Sequence, residues 1–342
     1  MANDCDKPGG TALLAPQAHV GQTETRAIAP RPATSATPSS RATSTQMGVS
    51  TQRDVAKTLQ WVLRISMAGT YIGHGAFGII GKDGWLPYFN LFGLTDSQGW
   101  ALMPIVGALD IAFGILILLW PMRVLMVHLA VWGVATAMFR PLTGEGLWEE
   151  IFERGGNYCV PLALLVLTGG GGDSITRWFH RVSEGPVLTR AKAVAIHWIL
   201  RVGTALLLVG HGGFGVWMHK SVWLRYFGAL GVSPETVANL NLYYVVGWFE
   251  IGLGLAILVK PVRPLLVAAC LYKVGTELLR PAAGEPWWEF IERAGSYLAP
   301  VGMLLVDRYV RRSRLEVVTA GGASGPDQQG IPTCFLRPFP TG

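Results

Sequence analysis

Charge is scarce in this chain. Of its 342 residues only 15% are Asp, Glu, Lys or Arg, against about 25% in soluble domains. The mean hydropathy is +0.36, and half of the residues are hydrophobic. A soluble enzyme is excluded, and so is a nucleic-acid-binding domain whose affinity rests on a basic patch. Cysteine is scarce too. Cys5, Cys159, Cys270 and Cys334 sit far apart with no CxxC spacing, so neither a zinc knuckle nor a disulfide framework is expected. Apolar residues do not alternate with polar ones, which argues against membrane β-strands.

What the chain has instead is eight continuous apolar runs, at about 57–80, 98–120, 122–140, 156–171, 193–217, 237–259, 262–280 and 294–310. Most approach the roughly 20 residues that cross ~30 Å of hydrocarbon at 1.5 Å per residue; the fourth is shortest. The expected fold is therefore an all-α membrane protein with eight transmembrane helices. Residues 1–56 and 311–342 read as disordered tails, because the first is rich in Ala, Pro, Ser, Thr and Gln without an apolar period, a composition that cannot offset the entropy of ordering. No apolar h-region follows a basic start, so no secretory signal peptide is expected. Met47, just ahead of the first apolar run, offers a second start. A basic linker, 172–192, separates the fourth and fifth runs.

Lys and Arg set the orientation. The linker (Arg177, Arg181, Arg190, Lys192), Arg123, Lys260, Arg263 and the cluster Arg308, Arg311, Arg312 and Arg314 would share one side. On the other side carboxylates outnumber the cations. Both termini are expected in the cytoplasm, the chain in the inner (cytoplasmic) membrane, and the formal charge of +6 follows from topology without an acidic ligand. Membrane lipid is the expected surrounding, and nucleic acid is not a partner.

The chain also repeats itself. WVLRISMAGTYIGHGAFG (61–78) matches WILRVGTALLLVGHGGFG (198–215) at nine of eighteen positions without a gap, and FRPLTGEGLWEEIFERGGNY (139–158) matches LRPAAGEPWWEFIERAGSY (279–297) with one deletion. Between these stretches Asp110 aligns with Glu250. Four runs per half is an even number, so both halves enter the membrane in the same direction, as parallel repeats over 57–171 and 193–310. Each repeat is expected to be a four-helix bundle.

A four-span unit with GHGxFG ending its first helix and ERxGxY opening its last resembles the DoxX family of small bacterial membrane proteins, here as a tandem fusion. The resemblance implies a four-helix membrane unit, in some cases a subunit of a quinone-linked or thiol-redox system. A quinone as cofactor and a redox protein as partner are expectations of that resemblance.

Six residues in the spans could carry ligand or proton chemistry. His74 and His211 sit between glycines that let a neighbour approach the backbone, where an imidazole can relay a proton or hydrogen-bond a carbonyl. The alternative is one interhelical hydrogen bond each. Asp110 and Glu250 lie at mid-membrane depth, at a cost of about 2.5–3.5 kcal/mol, which usually marks an inward-facing functional carboxylate. Lys273 and Glu277 stand at i,i+4 on one helix face, where the first half has Gly133 and Ala137. Either the second half holds the site, or this pair satisfies itself in the core. Metal binding is not expected, with one such His per half and no Cys at ligand spacing.

The outer loop repeats RPxxGE…ER(G/A)GxY. A short helix is expected there, with Glu150 and Arg154, and likewise Glu289 and Arg293, at i,i+4 on one face. Arg140, Arg154, Arg280 and Arg293 would line a vestibule for an anionic or quinone-like ligand, or serve the helix dipole alone. Arg64 and Arg201 are expected to snorkel to the headgroups. Together these groups predict one polar cavity per half, open to the outside. Two function classes fit, a quinone- or small-ligand-binding subunit of a membrane redox system and a proton-coupled transporter of a small solute; a scaffold with only structural polar groups is the third. No flavin, haem or iron–sulfur signature occurs.

Overall fold

Every regular element in the computed structural model is helical; its described residues are 40–144, 148–169 and 174–322. The helices are α1 (Ser40–Ile80), α2 (Leu86–Asn90), α3 (Asp96–Leu119), α4 (Arg123–Leu142), α5 (Glu149–Glu153), α6 (Gly155–Thr168), α7 (Arg190–Val216), α8 (Val222–Ala229), α9 (Pro234–Asn239), α10 (Leu242–Val259), α11 (Arg263–Ala282), α12 (Trp287–Glu292) and α13 (Ala294–Gly322). Among the described residues one bridge outside helices joins Met122 to Arg181. Residues 45–342 form one compact unit that contains both aligned segments; the first unit is residues 1–44.

Among the described residues four helices are long and apolar enough to cross a bilayer: α3, α4, α7 and α10. α6 is apolar but spans only 14 residues. α1 starts at Ser40 and α13 runs to Gly322, so both enter the segments expected as tails. No proline interrupts the chain between Pro38 and Pro87, which leaves nothing to stop the first helix early. Residues 1–39 and 323–342 lie outside the described residues. The linker is folded back: Val182 N donates to Pro121 O, Gln60 bonds the backbone of Ser183 and Gly185, and Val182 and Leu188 are buried.

The segments do not pack as two separate bundles. α7 lies against α6 of the first segment as well as α10 and α13 of the second, and Leu59, Leu63, Leu164, Leu200, Leu208 and Met303 share one core cluster. First and last helices of both segments thus make the centre. α3, α4, α10 and α11 add Ile117, Met126, Ile257 and Leu266 to that cluster and expose Ile105, Leu109, Val131, Phe249, Leu255 and Leu271 on their other faces. The reason is small residues at the central crossings. α6 and α13 cross at Gly156 and Gly295, where an added Cβ would stand 3.0–3.2 Å from the other glycine's backbone.

Arg64 and Arg201 do not snorkel. Arg64 Nε donates to Ile117 O at 3.3 Å and its Nη2 to Leu118 O; Arg201 does the same at Ile257 O, 3.1 Å, and Leu258 O. Each guanidinium lies over a tryptophan ring one turn earlier, Trp61 or Trp198, at 4.0 and 4.2 Å. The last carbonyls of α3 and α10 have no intrahelical donor, and a cation there also complements the helix dipole.

Gly295→Leu is expected to destabilise the protein by ~1–3 kcal/mol, the usual cost of overpacking, and to broaden its size-exclusion peak in detergent. Gly228→Ala, whose Cβ would meet nothing within 4 Å, should leave the melting temperature unchanged. Equal melting temperatures for both variants would contradict the tight crossing.

Candidate functional site

The site begins with two glycine contacts. A Cβ on Gly75 would run into Gly107 O, and one on Gly212 into Gly247 O, so α1 meets α3, and α7 meets α10, backbone to backbone. One residue before the first glycine and three after the second, His74 faces Asp110. His74 Nδ1 lies 2.7 Å from Asp110 Oδ2, and His211 Nδ1 lies 2.5 Å from Glu250 Oε2. Both acids are buried. Each imidazole stacks on a tryptophan, Trp85 at 4.5 Å and Trp223 at 5.4 Å. The structure therefore joins the four residues as two separate His–carboxylate pairs.

The outer loops cross over. A Cβ on Gly73 would strike the backbone of Glu292, and one on Gly210 the backbone of Glu153. Hence α12 docks on the first segment's opening helix, and α5 on the second's. The charges follow. Arg154 Nη1 reaches Glu292 Oε1 at 3.4 Å, and Arg293 Nη1 reaches Glu153 Oε1 at 2.6 Å. Lys82 lies 3.5 Å from Glu289, and Lys220 bonds Glu150. Every one of these pairs joins one segment to the other. The i,i+4 pair expected between Glu289 and Arg293 is made at 3.5 Å. Glu150 instead meets Lys220 and, at 3.6 Å, Arg140, because the α5–α7 packing brings that lysine over it.

Burial raises the Glu153 carboxyl, but Arg293 and Arg154 beside it outweigh burial and hold it well below the ordinary value of 4.5. Glu150 is lowered against the same burial by Arg140 and Lys220, and Glu292 by Arg154 and Arg293. The Arg293 guanidinium is opposed by burial but raised on balance by Glu153 and Glu277.

Lys273 and Glu277 face each other in the core, though Lys273 Nζ makes no hydrogen bond there. Lys273 Nζ lies 2.8 Å from Glu277 Oε1, and Arg280 Nε 2.9 Å from Glu277 Oε2. Arg280 Nη1 also donates to Tyr226 OH at 3.0 Å, and that hydroxyl donates to Glu285 at 2.9 Å.

Three cavities surround these groups. A polar one of about 270 Å³ is walled by both segments, including Lys82, Arg140, Glu150, Lys220, Arg280 and Glu289. An apolar one of about 290 Å³ lies in the first segment against His74, Trp85, Phe89, Trp132, Phe139 and Arg140. Its counterpart in the second, against His211, Trp223, Phe227, Tyr272 and Arg280, has about 50 Å³. The expected polar cavity per half is thus corrected: the polar space is shared, since the charged loops cross between segments. Among the described residues no cluster of three or more His, Cys, Asp or Glu side chains comes together.

Sequence reasoning passed over Lys82, Lys220, Trp85, Trp223, Glu153 and Glu292. A signal existed: both segments carry Lys-x-x-Trp after the GHGxFG helix, and Glu153 and Glu292 are the acids of the repeated Glu-Arg.

Carboxyls held low in the folded state contribute stability above their ordinary value and lose it as pH falls through the folded value. Thermal unfolding should therefore vary little with pH above about 5 and decline below 4.5, the ordinary glutamate value. The difference in melting temperature between the native chain and Glu153→Gln should shrink over the same acid range. A difference constant from pH 7 to 3 would contradict the assignment.

Comparison with protein-family models, with curated proteins and with solved structures gave no match for this chain.

Proposed function

We propose that this chain is an eight-span membrane protein of two parallel four-helix units, similar to DoxX proteins, that binds a small apolar, quinone-like ligand beside His74 and serves a redox partner in the inner membrane. The observation that carries the reading is the aromatic cavity of about 290 Å³ with His74 and Arg140 in its wall. Ligand pockets are commonly apolar clefts of roughly 300–1,000 Å³ with a few polar groups that fix orientation. Phe92 and Ile105 at its edge are 66% and 56% exposed, so a lipid-dissolved molecule could enter from the side. Asp110 fixes the imidazole through Nδ1, and the other ring nitrogen remains for a ligand oxygen.

The eight-span reading is supported by the charged residues of the less apolar helices being turned inward. Arg64 on α1, and Lys273 and Glu277 on α11, are all buried. α11 has 20 residues, enough for about 30 Å. The cytoplasmic placement of the linker rests on its Arg and Lys residues.

A second reading, proton-coupled movement of a small solute, draws on the shared polar cavity. Solute uptake that collapses with the pH gradient would favour it over ligand binding.

Mass spectrometry of the lipid extract from purified protein is expected to find a quinone or another small apolar compound in near-stoichiometric amount. His74→Ala should reduce it about tenfold, the scale of one good hydrogen bond, while Trp288→Phe should retain it. A native protein that carries no such compound and binds no added decylubiquinone would overturn the proposal. For topology, Glu184→Cys in a chain without native cysteines should react with an impermeant maleimide only after the cells are opened. Labelling of intact cells would reverse the orientation.

A further inference from the structure

The two segments differ by one carboxylate beside their arginine pairs. In the second segment Glu277 sits between two guanidiniums, with Oε2 2.9 Å from Arg280 Nε and 3.3 Å from Arg293 Nε. The first segment keeps both arginines, Arg140 and Arg154, but has Ala137 in place of Glu277 and Gly133 in place of Lys273. Arg154 is 7% exposed, and its Nε, like that of Arg293, has no hydrogen-bond partner. Arg140 Nε stands 3.6 Å from Glu150, beyond hydrogen-bond reach, while Lys220 already bonds that carboxylate.

The charges agree with this. Arg154 and Arg293 are balanced by Glu153 and Glu292 across the crossing. Among the described residues Arg140 and Lys220 share Glu150. Both Arg140 and Arg154 line the aromatic cavity. Leaving a buried guanidinium nitrogen without an acceptor is costly, and a planar pair of oxygens is the shape that guanidiniums bind best.

We infer that the first-segment pocket takes an apolar carboxylic acid in its ionised form, seated on Arg140 and Arg154 where the second segment seats its own Glu277. The inference rests on the proposed reading of that pocket as a ligand site, and narrows the ligand from a neutral ring to an anionic one. The apolar body lies among Trp85, Phe89, Trp132 and Phe139, and the carboxylate at the inner, arginine end. In the second segment the chain supplies the carboxylate itself, 2.9 Å from Arg280 Nε.

The test compares 2-naphthoic acid, its methyl ester and decylubiquinone by calorimetry on the full chain in nanodiscs at pH 7. The acid should bind at least tenfold tighter than the ester. Arg140→Gln should bring the two within about twofold, and Ala137→Glu, which installs the second segment's carboxylate, should weaken the acid at least tenfold. Should Ala137→Glu not fold, the acid–ester ratio of the native chain and of Arg140→Gln still decides. Equal binding of acid and ester, or a preference unchanged in Arg140→Gln, would overturn the carboxylate. If decylubiquinone still binds, the pocket survives as a ligand site. Failure of all three compounds to bind would overturn both readings.

Discussion

Each of two buried guanidiniums in this protein takes a carboxylate from the other segment. Arg154 and Arg293 lie at the crossing of α6 and α13, and their acids come from opposite segments. An isolated buried charge costs several kcal/mol after relaxation, so neither arginine is tolerable without its counterpart. The rest follows from that requirement. α5 and α12 must dock on the other segment's first helix, and that helix must carry Gly73 or Gly210 where they land. The docked acids then draw Lys82 and Lys220 inward, and the lysines close the polar cavity from both sides. A single segment expressed alone would expose half of every pair.

Positions of helices were legible in the sequence because an apolar run reports directly on length and burial. The His–carboxylate pairs were half legible. Glycines around His74 and the depth of Asp110 pointed to a close helix contact and an inward acid, but nothing in the spacing said that each would find the other. The crossing of the loops was not legible at all. Periodicity tells which face of a helix is buried and is silent about which neighbour covers it. Glu150 illustrates the limit: the i,i+4 rule offers Arg154, whereas packing supplies Lys220, 70 positions away. Arg64 was misjudged for a related reason. A cation near a helix end reads as a headgroup contact, and the unpaired carbonyls of a different helix do not appear in its own sequence.

Divergence between the segments is concentrated where packing leaves a choice. The central contacts are kept in both: His with acid, Lys with the crossed Glu, Arg with the crossed Glu. Gly133 and Ala137 against Lys273 and Glu277 is the exception, and it changes volume and charge together. A buried ion pair seldom adds stability over an apolar pair of similar size, so stability alone does not account for Lys273 and Glu277. They set a carboxylate between Arg280 and Arg293.

The converse question is why the first segment tolerates an aromatic cavity of about 290 Å³. An enclosed, dry void destabilises by ~24 cal/mol per Å³, which would be severe for a volume of this size. The penalty applies only where nothing can enter. Here the rim is apolar and exposed at Phe92 and Ile105, and lipid chains lie alongside in the proposed membrane setting, so the space need never be empty. Its inner end, where two arginines face it, is a poor place for a lipid tail. A cavity that lipid can fill along its walls but not at its charged end favours an occupant with both characters, as the proposed ligand would be.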